Sequence, residues 1–382
     1  MNIGILTGGG DVQPLNAVIA AVKSEVTKVN GKLYGFLNGW DGILNNNFII
    51  LNEIEVPELV GGTILKSSRV NIKKVENSFE NFRNNFSKLG LEGLIVIGGE
   101  DTLSNVFYFD DLPIVMLSKT IDNDVGKVNI SNGKYTLTNH FTLGHPTAAE
   151  KIASFVSLKE GLRTTAYSHE RIIIVESMGM HAGWLALSSG LGAPDFIIIP
   201  EFPLNYEKFI ELLIKKFRSQ KNAIVVVSEG AKWSNGDFIA ADYKNQDSFG
   251  HPKFLGSAKT LSEKVKESFS KLFDTRNINF VNPSYLYRSG KPNELDYITA
   301  YKLGEYAVKL INHGLNKPCF IAVNDDISLS KVFIEDIGVI DNFHRFVPCE
   351  FYDIENYQIS QLGINYVKSL GKSFDRINYN IK

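Results

Sequence analysis

The chain of 382 residues is long enough for two or three domains at roughly 150 residues each, and with 44% hydrophobic residues it can bury sizeable cores. A formal charge of −2, from 40 basic against 42 acidic residues, excludes a bulk basic field for nucleic acid or a membrane surface, so any anion must be held by placed residues. No apolar run approaches ~18 residues, the only two cysteines, Cys319 and Cys349, lie far apart, and the N-terminus carries no leader pattern, so a reducing, cytoplasmic setting without a membrane is expected.

In chain order, NIGILT reads as a first strand, and LNAVIAAVKSEVTKV places apolar residues at helical spacing after it. Between them stand Gly8, Gly9 and Gly10. These either let the backbone approach an anion beside a helix N-terminus or make a tight turn, and the spacing is not GxGxxG. GGTILKSSRV carries Lys66 and Arg69, a phosphate clamp or a solvated basic loop. LIVIGG ends at Gly99, is followed by Glu100 and Asp101, and leads to a helix beginning near Thr102. LPIVML runs into SKTIDNDV, and VGKVNISNGKYTLTN reads as a loop or small hairpin. TAAEKIASFVSLKEGL is expected to be one long helix separating an N-terminal sheet from a second set of strands, RIIIVES, DFIIIPE and AIVVVSEG, with helices at FIELLIKKF and AKTLSEKVKESFSKLF. The tail after Phe343 shows no pattern that places it. Continuous apolar strands alternating with amphipathic helices predict an α/β, doubly wound fold of mainly parallel sheets covered by helices, with sites at the carboxyl ends of the strands.

SKTIDNDV carries the chemistry. Lys119, Asp122 and Asp124 lie within six residues after a buried strand. Phosphoryl transfer needs a base for the acceptor hydroxyl, a metal to gather phosphate oxygens and cations on the transferring group. The two aspartates can supply the first two and Lys119 the third, whereas a structural Asp-Asn-Asp turn is the other reading. Glu100 ends a neighbouring strand and can converge on the same crevice. Several carboxylates beside Lys119, Arg69 and a glycine loop call for a cation, and Mg²⁺ takes oxygen ligands from one or two carboxylates plus phosphates and water. His145, His169 and His181 read as structural or hydrogen-bonding residues, since no His/Cys ligand spacing occurs.

With these residues in view, the chain resembles the bacterial 6-phosphofructokinases that use ATP or pyrophosphate, and the pyrophosphate-dependent type most. From Ile3 to about Ala307, ILTGGGD with LNAVI, GGTILKSSR, IGGEDTL, KTIDND, SHER, ESMGMHAGW, SEGAK, FGHPKF and YRSGKPNELD occur in that family's order. The resemblance implies two Rossmann-like domains with the active site in the cleft between them. On this reading a donor domain comprises 1–147 plus about 287–344, and an acceptor-sugar domain 148–286 plus about 345–382. It implies that Asp122 is the base taking the proton of the sugar 1-hydroxyl, with Lys119 and Thr120 on the transferred phosphate. Gly9, Gly10, Arg69, Gly99, Asp101 and Thr102 become donor-binding residues. Asp124, Arg171, Met178, Gly179, Glu229, Tyr285 and Arg288 become acceptor-binding residues, and Glu100 and Asp124 hold Mg²⁺. The family's arginine at the Arg171 position reaches a neighbouring subunit, which implies a homodimer or homotetramer. The partners implied are small molecules only, pyrophosphate or ATP and a sugar phosphate.

ATP-using members usually carry glycine where Asp101 stands, and often glycine at Lys119, whereas pyrophosphate-using members resemble this chain. A carboxylate ~4 Å from a nucleotide α-phosphate costs about 4 kcal/mol at an effective dielectric near 20, roughly a thousandfold in affinity. Pyrophosphate ends before that clash. The chain also departs from the family. Gln13-Pro14-Leu15-Asn16 replaces a Pro-Gly pair before the asparagine, Met180 replaces an arginine, and Lys66 a usual glycine. Asn279 stands where a second cross-subunit arginine is expected, with Arg276 out of register, and Tyr285 replaces a histidine. Three readings follow: pyrophosphate-dependent phosphofructokinase, the same chemistry on another sugar or sugar phosphate with ATP as an alternative donor, and a non-catalytic regulatory subunit or metabolite sensor.

Overall fold

Apolar strand segments that are buried along their whole length set the architecture. The computed structural model describes residues 1–246, 252–254, 256–332 and 345–370. Part of the FGHPKF motif, Phe249–His251, lies outside them, as does the end of the tail. The chain starts with β1 (Asn2–Thr7), α1 (Leu15–Lys28), β2 (Lys32–Phe36), α2 (Trp40–Leu44), β3 (Phe48–Ile50) and α3 (Ser78–Lys88). It continues through β4 (Gly93–Gly98), α4 (Glu100–Ser104), β5 (Ile114–Ser118), β6 (Lys127–Ser131), β7 (Lys134–Thr138) and α5 (His145–Val156). Next come α6 (Arg163–Ser168), β8 (Ile172–Ser177), α7 (Trp184–Ser188), β9 (Phe196–Ile198), α8 (Tyr206–Gln220) and β10 (Ala223–Ser228). The remainder is β11 (Ala241–Gln246), β12 (Pro252–Phe254), α9 (Ser257–Phe269), β13 (Ile278–Val281), α10 (Glu294–Asn312), β14 (Cys319–Val323), β15 (Leu329–Val332), β16 (Tyr352–Asp353), β17 (Gln358–Ile359) and α11 (Gln361–Ser369).

These elements sort into two units, Met1–Thr147 with Arg288–Arg345, and Ala148–Tyr287 with Phe346–Lys382. The first holds a seven-stranded sheet in the order β15-β14-β5-β4-β1-β2-β3, parallel at its centre and antiparallel at both edges. Thr7 pairs with Ile97, and Gly98 with Ser118, so the segments that leave β1, β4 and β5 emerge side by side from the carboxyl edge. The apolar side of α1, including Val18, Ala21 and Val22, is buried, and α10 lies close against it at Gly304, where a Cβ would stand 2.7 Å from that of Ala21. The second unit holds the parallel sheet β13-β8-β10-β9, whose central strands β8 and β10 are buried throughout. The mainly parallel α/β fold read from the sequence is the fold observed, and among the described residues no helix is long and apolar enough to cross a membrane.

Three details differ from the sequence reading or complete it. The expected long helix stops at Val156, because the chain reverses at Gly161, whose α-carbon packs so tightly on the carbonyls of Ser154 and Phe155 that a Cβ would stand 2.3 and 2.1 Å from them. The loop or hairpin at 127–138 is the hairpin β6–β7, with Asn132 and Gly133 both at positive φ as a two-residue type I′ turn requires. The unplaced tail forms the small β16–β17 hairpin and α11, with Tyr366 edge-on to Trp184 at 5.2 Å.

Candidate active site

The three successive glycines each make room for a different side chain. A Cβ on Gly8 would stand 2.5 Å from Thr102 Oγ1, one on Gly9 3.3 Å from Lys119 Nζ, and one on Gly10 2.9 Å from Arg288 Nη1. Gly9 also has φ +78°, a conformation glycine adopts without Cβ strain. The loop is held from the other side, where its Gly9 N–H donates to Ser68 O at 3.0 Å and Ser67 Oγ donates to Gly9 O. Lys66 begins that segment at φ +59°, which accounts for glycine being the usual residue there. Lys119 Nζ donates to Gly10 O, and Arg69 on the neighbouring segment is exposed.

The segment after β5 alternates. Lys119, Ile121, Asn123 and Val125 are buried, and Thr120, Asp122 and Asp124 are half-buried, so the three polar residues share the more open side. The chain is pinned through its buried side. Thr120 N–H donates to Leu143 O at 3.1 Å, Thr142 Oγ1 donates to Thr120 O at 2.6 Å, and Thr142 N–H donates to Asn123 Oδ1 at 3.1 Å. His145 Nδ1 donates to the Ile121 carbonyl at 2.8 Å, which leaves Nε2 unprotonated in the neutral ring. Thr120 Oγ1 accepts from Asp122 N–H at 3.1 Å, and Asp122 Oδ1 is shielded from solvent. On the neighbouring strand, α4 starts at Glu100, earlier than the Thr102 expected, with Glu100 half-buried and Asp101 exposed. Trp40 Nε1 braces this turn from the core by donating to Thr102 O at 2.9 Å.

Burial lowers the Lys119 ammonium to about 7, helped by the positive charges of Arg288 and Arg69 and opposed by Asp11 and Asp122. This buried amine sits over the glycine loop, where a bound phosphate would add negative charge to that of Asp11 and Asp122 and favour the ammonium. Burial likewise holds His145 at about 4, so it is a neutral prop for the loop at physiological pH. Among the described residues no group of three His, Cys, Asp or Glu side chains is arranged to hold a metal ion alone. The oxygen donors present, from Glu100 and Asp124, fit Mg²⁺ that takes its remaining ligands from phosphate and water.

In the second unit, Gly179 N–H donates to Glu229 Oε1 at 3.1 Å, and Ser228 Oγ donates to Gly179 O, so Met178, Gly179 and Glu229 come together at the ends of β8 and β10. Arg171 Nη1 donates to Thr165 Oγ1 at 2.6 Å. Tyr285 is exposed, Asn279 is exposed on the edge strand β13, and Arg276 is paired with Asp274 at 2.7 Å. Arg288, read as an acceptor-binding residue, is the first residue of the second segment of the first unit and stands against the glycine loop, where its Nη1 also faces Asp11 O at 3.5 Å.

The phosphofructokinase family matches residues 2–311. The chain belongs to that family. A pyrophosphate–fructose 6-phosphate 1-phosphotransferase of Dictyoglomus thermophilum is 34% identical over 359 residues, which cover 92% of this chain and 97% of the relative. An ATP-dependent 6-phosphofructokinase 3 of Streptomyces coelicolor is 36% identical over 323 residues, covering 82% and 88%. The solved structure of a pyrophosphate-dependent phosphofructokinase from Nitrosospira multiformis covers 97% of this chain and 91% of its own at a TM-score of 0.78 and 21% identity, a likeness of fold. The protein is thus a phosphofructokinase-family enzyme, and both donor types occur among relatives of similar identity.

Sequence reasoning passed over two contributors to this phosphofructokinase site. Thr142 and Asn123 hold the aspartate loop through backbone atoms, and nothing in their residue types marks that role. The position of Arg288 against Gly10 was also hidden, because 278 residues separate the two in sequence.

Proposed function

We propose that the enzyme transfers a phosphoryl group from pyrophosphate to the 1-hydroxyl of fructose 6-phosphate. The observation that carries this reading is the presence together of Lys119, buried over the glycine loop, and of Asp101, exposed immediately beyond Glu100 at the start of α4. A compact dianionic phosphate gains from a fixed cation beneath it, whereas a nucleotide would extend past the loop toward the Asp101 carboxylate. In this mechanism the donor rests on the backbone of Gly9 and Gly10 with Arg69 and Arg288 as cations. Glu100 and Asp124 would hold Mg²⁺, which when bound neutralises charge across the donor phosphates. Asp122 accepts the proton of the acceptor hydroxyl as it attacks phosphorus, the bridging oxygen leaves with orthophosphate, and Thr120 and Lys119 stabilise the transferring group. Met178, Gly179 and Glu229 contact the sugar, and Arg171 and Tyr285 its phosphate end. The working form is a homodimer or homotetramer, with Arg171 serving a neighbouring subunit.

The test is a turnover assay of purified enzyme with Mg²⁺, pyrophosphate or ATP, and a panel of sugars and sugar phosphates. Turnover with pyrophosphate and fructose 6-phosphate, with little from ATP, is expected. Preference for ATP would remove the donor assignment. A second reading keeps the donor and changes the acceptor, favoured by Asn279 and Met180 in place of expected arginines and by the Arg276–Asp274 pair, which occupies the nearest spare cation. A different sugar winning the same panel would establish it.

A further inference from the structure

The two aspartates of SKTIDNDV flank Asn123, and the polypeptide that fixes Asn123 comes from far along the chain. Asn123 is fully buried and stands at φ +56°, a left-handed conformation sparsely populated by non-glycine residues. Arg345 is 1% exposed. Its Nε donates to Asn123 O at 2.9 Å and its Nη2 to the same carbonyl at 2.6 Å and to Asn123 Oδ1. Its Nη1 donates to Asn139 O, and its own N–H donates to Asp124 O at 2.8 Å. Asn139 is itself a hub, donating through Nδ2 to Ser118 Oγ at 3.0 Å and to Val125 O at 3.2 Å. Room for the guanidinium is made at Gly126, where a Cβ would stand 3.3 Å from Nη1.

We propose that Arg345 is a positioning residue for phosphoryl transfer, fixing Asn123 so that Asp122 and Asp124 present their carboxylates in the orientation the reaction needs. This rests on the phosphotransfer reading above. Arg345 lies beyond residue 311, where the family match ends. The planar guanidinium suits the task, because one rigid fork reaches the Asn123 carbonyl, its side-chain amide oxygen and the Asn139 carbonyl at once. A lysine ammonium delivers one charge at one point and cannot bridge all three. Because the fork acts on the backbone between the two aspartates, its loss rotates both, while the glycine loop, Lys119 and Arg69 keep their places.

The experiment compares the full-length parent with Arg345→Lys and Arg345→Ala, by steady-state kinetics with pyrophosphate and the confirmed acceptor and by hydrogen exchange followed in peptides. Expected are a kcat lower by about 100-fold in Arg345→Lys, as for a displacement near 1 Å at a reacting centre, and a KM for pyrophosphate close to the parent's. Partial recovery of Arg345→Ala by guanidinium ion below denaturing concentrations and faster exchange confined to the peptide covering 119–126 are also expected. Parental kcat in both variants overturns the proposal, as does a kcat loss that only follows the folded fraction without guanidinium rescue. If Arg345→Ala does not fold, Arg345→Lys decides. If the parent transfers phosphate from no donor to any acceptor, the functional reading fails by itself. The exchange measurement then judges Arg345, because unchanged protection at 119–126 overturns its role and selective loss supports it.

Discussion

Asp122 and Lys119 are the residues whose chemistry is most exposed to a single substitution. Asp122→Asn keeps the side chain's shape and removes its ability to take a proton, so kcat should fall about 10²–10⁴-fold with the unfolding midpoint unchanged. Near-parental turnover would take Asp122 out of the mechanism. Lys119 makes a sharper prediction. Its pKa of about 7 in the ligand-free enzyme means it is largely neutral at pH 8 and largely protonated at pH 6. A bound pyrophosphate favours the ammonium and raises that pKa. Binding at pH 8 should therefore take up nearly one more proton in the parent than in Lys119→Met, and at pH 6 the two should agree. Calorimetric titration in two buffers of different ionisation enthalpy measures the difference, and equal uptake at pH 8 would contradict the role. Lys119 and Asp122 were legible in the sequence because they alternate within one short segment after an apolar strand. Arg345 was not, because its contact with Asn123 spans 222 residues and runs through main-chain oxygens, which leave no signature in residue type.

At the scale of elements, the proposed donor choice predicts that the turn into α4 and the end of β5 act together. Asp101→Gly should relieve repulsion of a nucleotide, Lys119→Gly should remove a cation the shorter donor needs more, and the double change should shift kcat/KM toward ATP more than either alone. A double variant no better with ATP than the parent would place donor choice elsewhere. The α1–α10 contact offers a stability test. Gly304→Ala would put a methyl group 2.7 Å from Ala21 Cβ and 2.9 Å from Val18 O, neither of which can swing away. A loss of about 1–3 kcal/mol, read from urea midpoints, is expected for such overpacking. β1, β4, β5, β8, β9 and β10 were visible because each is a continuous apolar run. β2, β3, β13 and β15 were not, since β2 carries a glycine and a lysine, β3 is a three-residue edge strand, and β13 and β15 are four-residue strands with polar residues among the apolar ones; β14, an apolar run between Pro318 and Asn324, was legible and was passed over.

For the molecule as a whole, acid stability follows from two buried imidazoles. His140 and His145 are both lowered to about 4, chiefly by burial and also by the positive charge of Arg345. The unfolded chain, with histidines near 6.5, then binds more protons than the folded one between pH 6.5 and 4. Stability from these groups is present above pH 6.5 and is lost as pH falls toward 4, with a slope near 1.4 kcal/mol per pH unit for each histidine where it is steepest. Urea unfolding at a series of pH values should show this slope in the parent and a flatter one in His140→Gln/His145→Gln. Composition and charge argued against a bulk basic field, because balanced charges leave only local clusters to hold an anion. Assembly was beyond a single sequence to derive, since the proposed role of Arg171 depends on a second copy.

The return of the chain to its first sheet has a consequence for how the polypeptide emerges during synthesis. Strand β5 borders β4 early, but its other edge is covered only when Cys319 and Phe320 of β14 arrive to pair with Val115 and Met116. About 200 residues separate the two strands, which at ~5–20 residues per second is roughly 10–40 s of translation with an apolar strand edge open. A nascent chain stalled after residue 312 should therefore be protease-sensitive in its first 147 residues and bound by holding chaperones. One stalled beyond residue 345, with the exit tunnel cleared, should show protection of β1, β4 and β5 together.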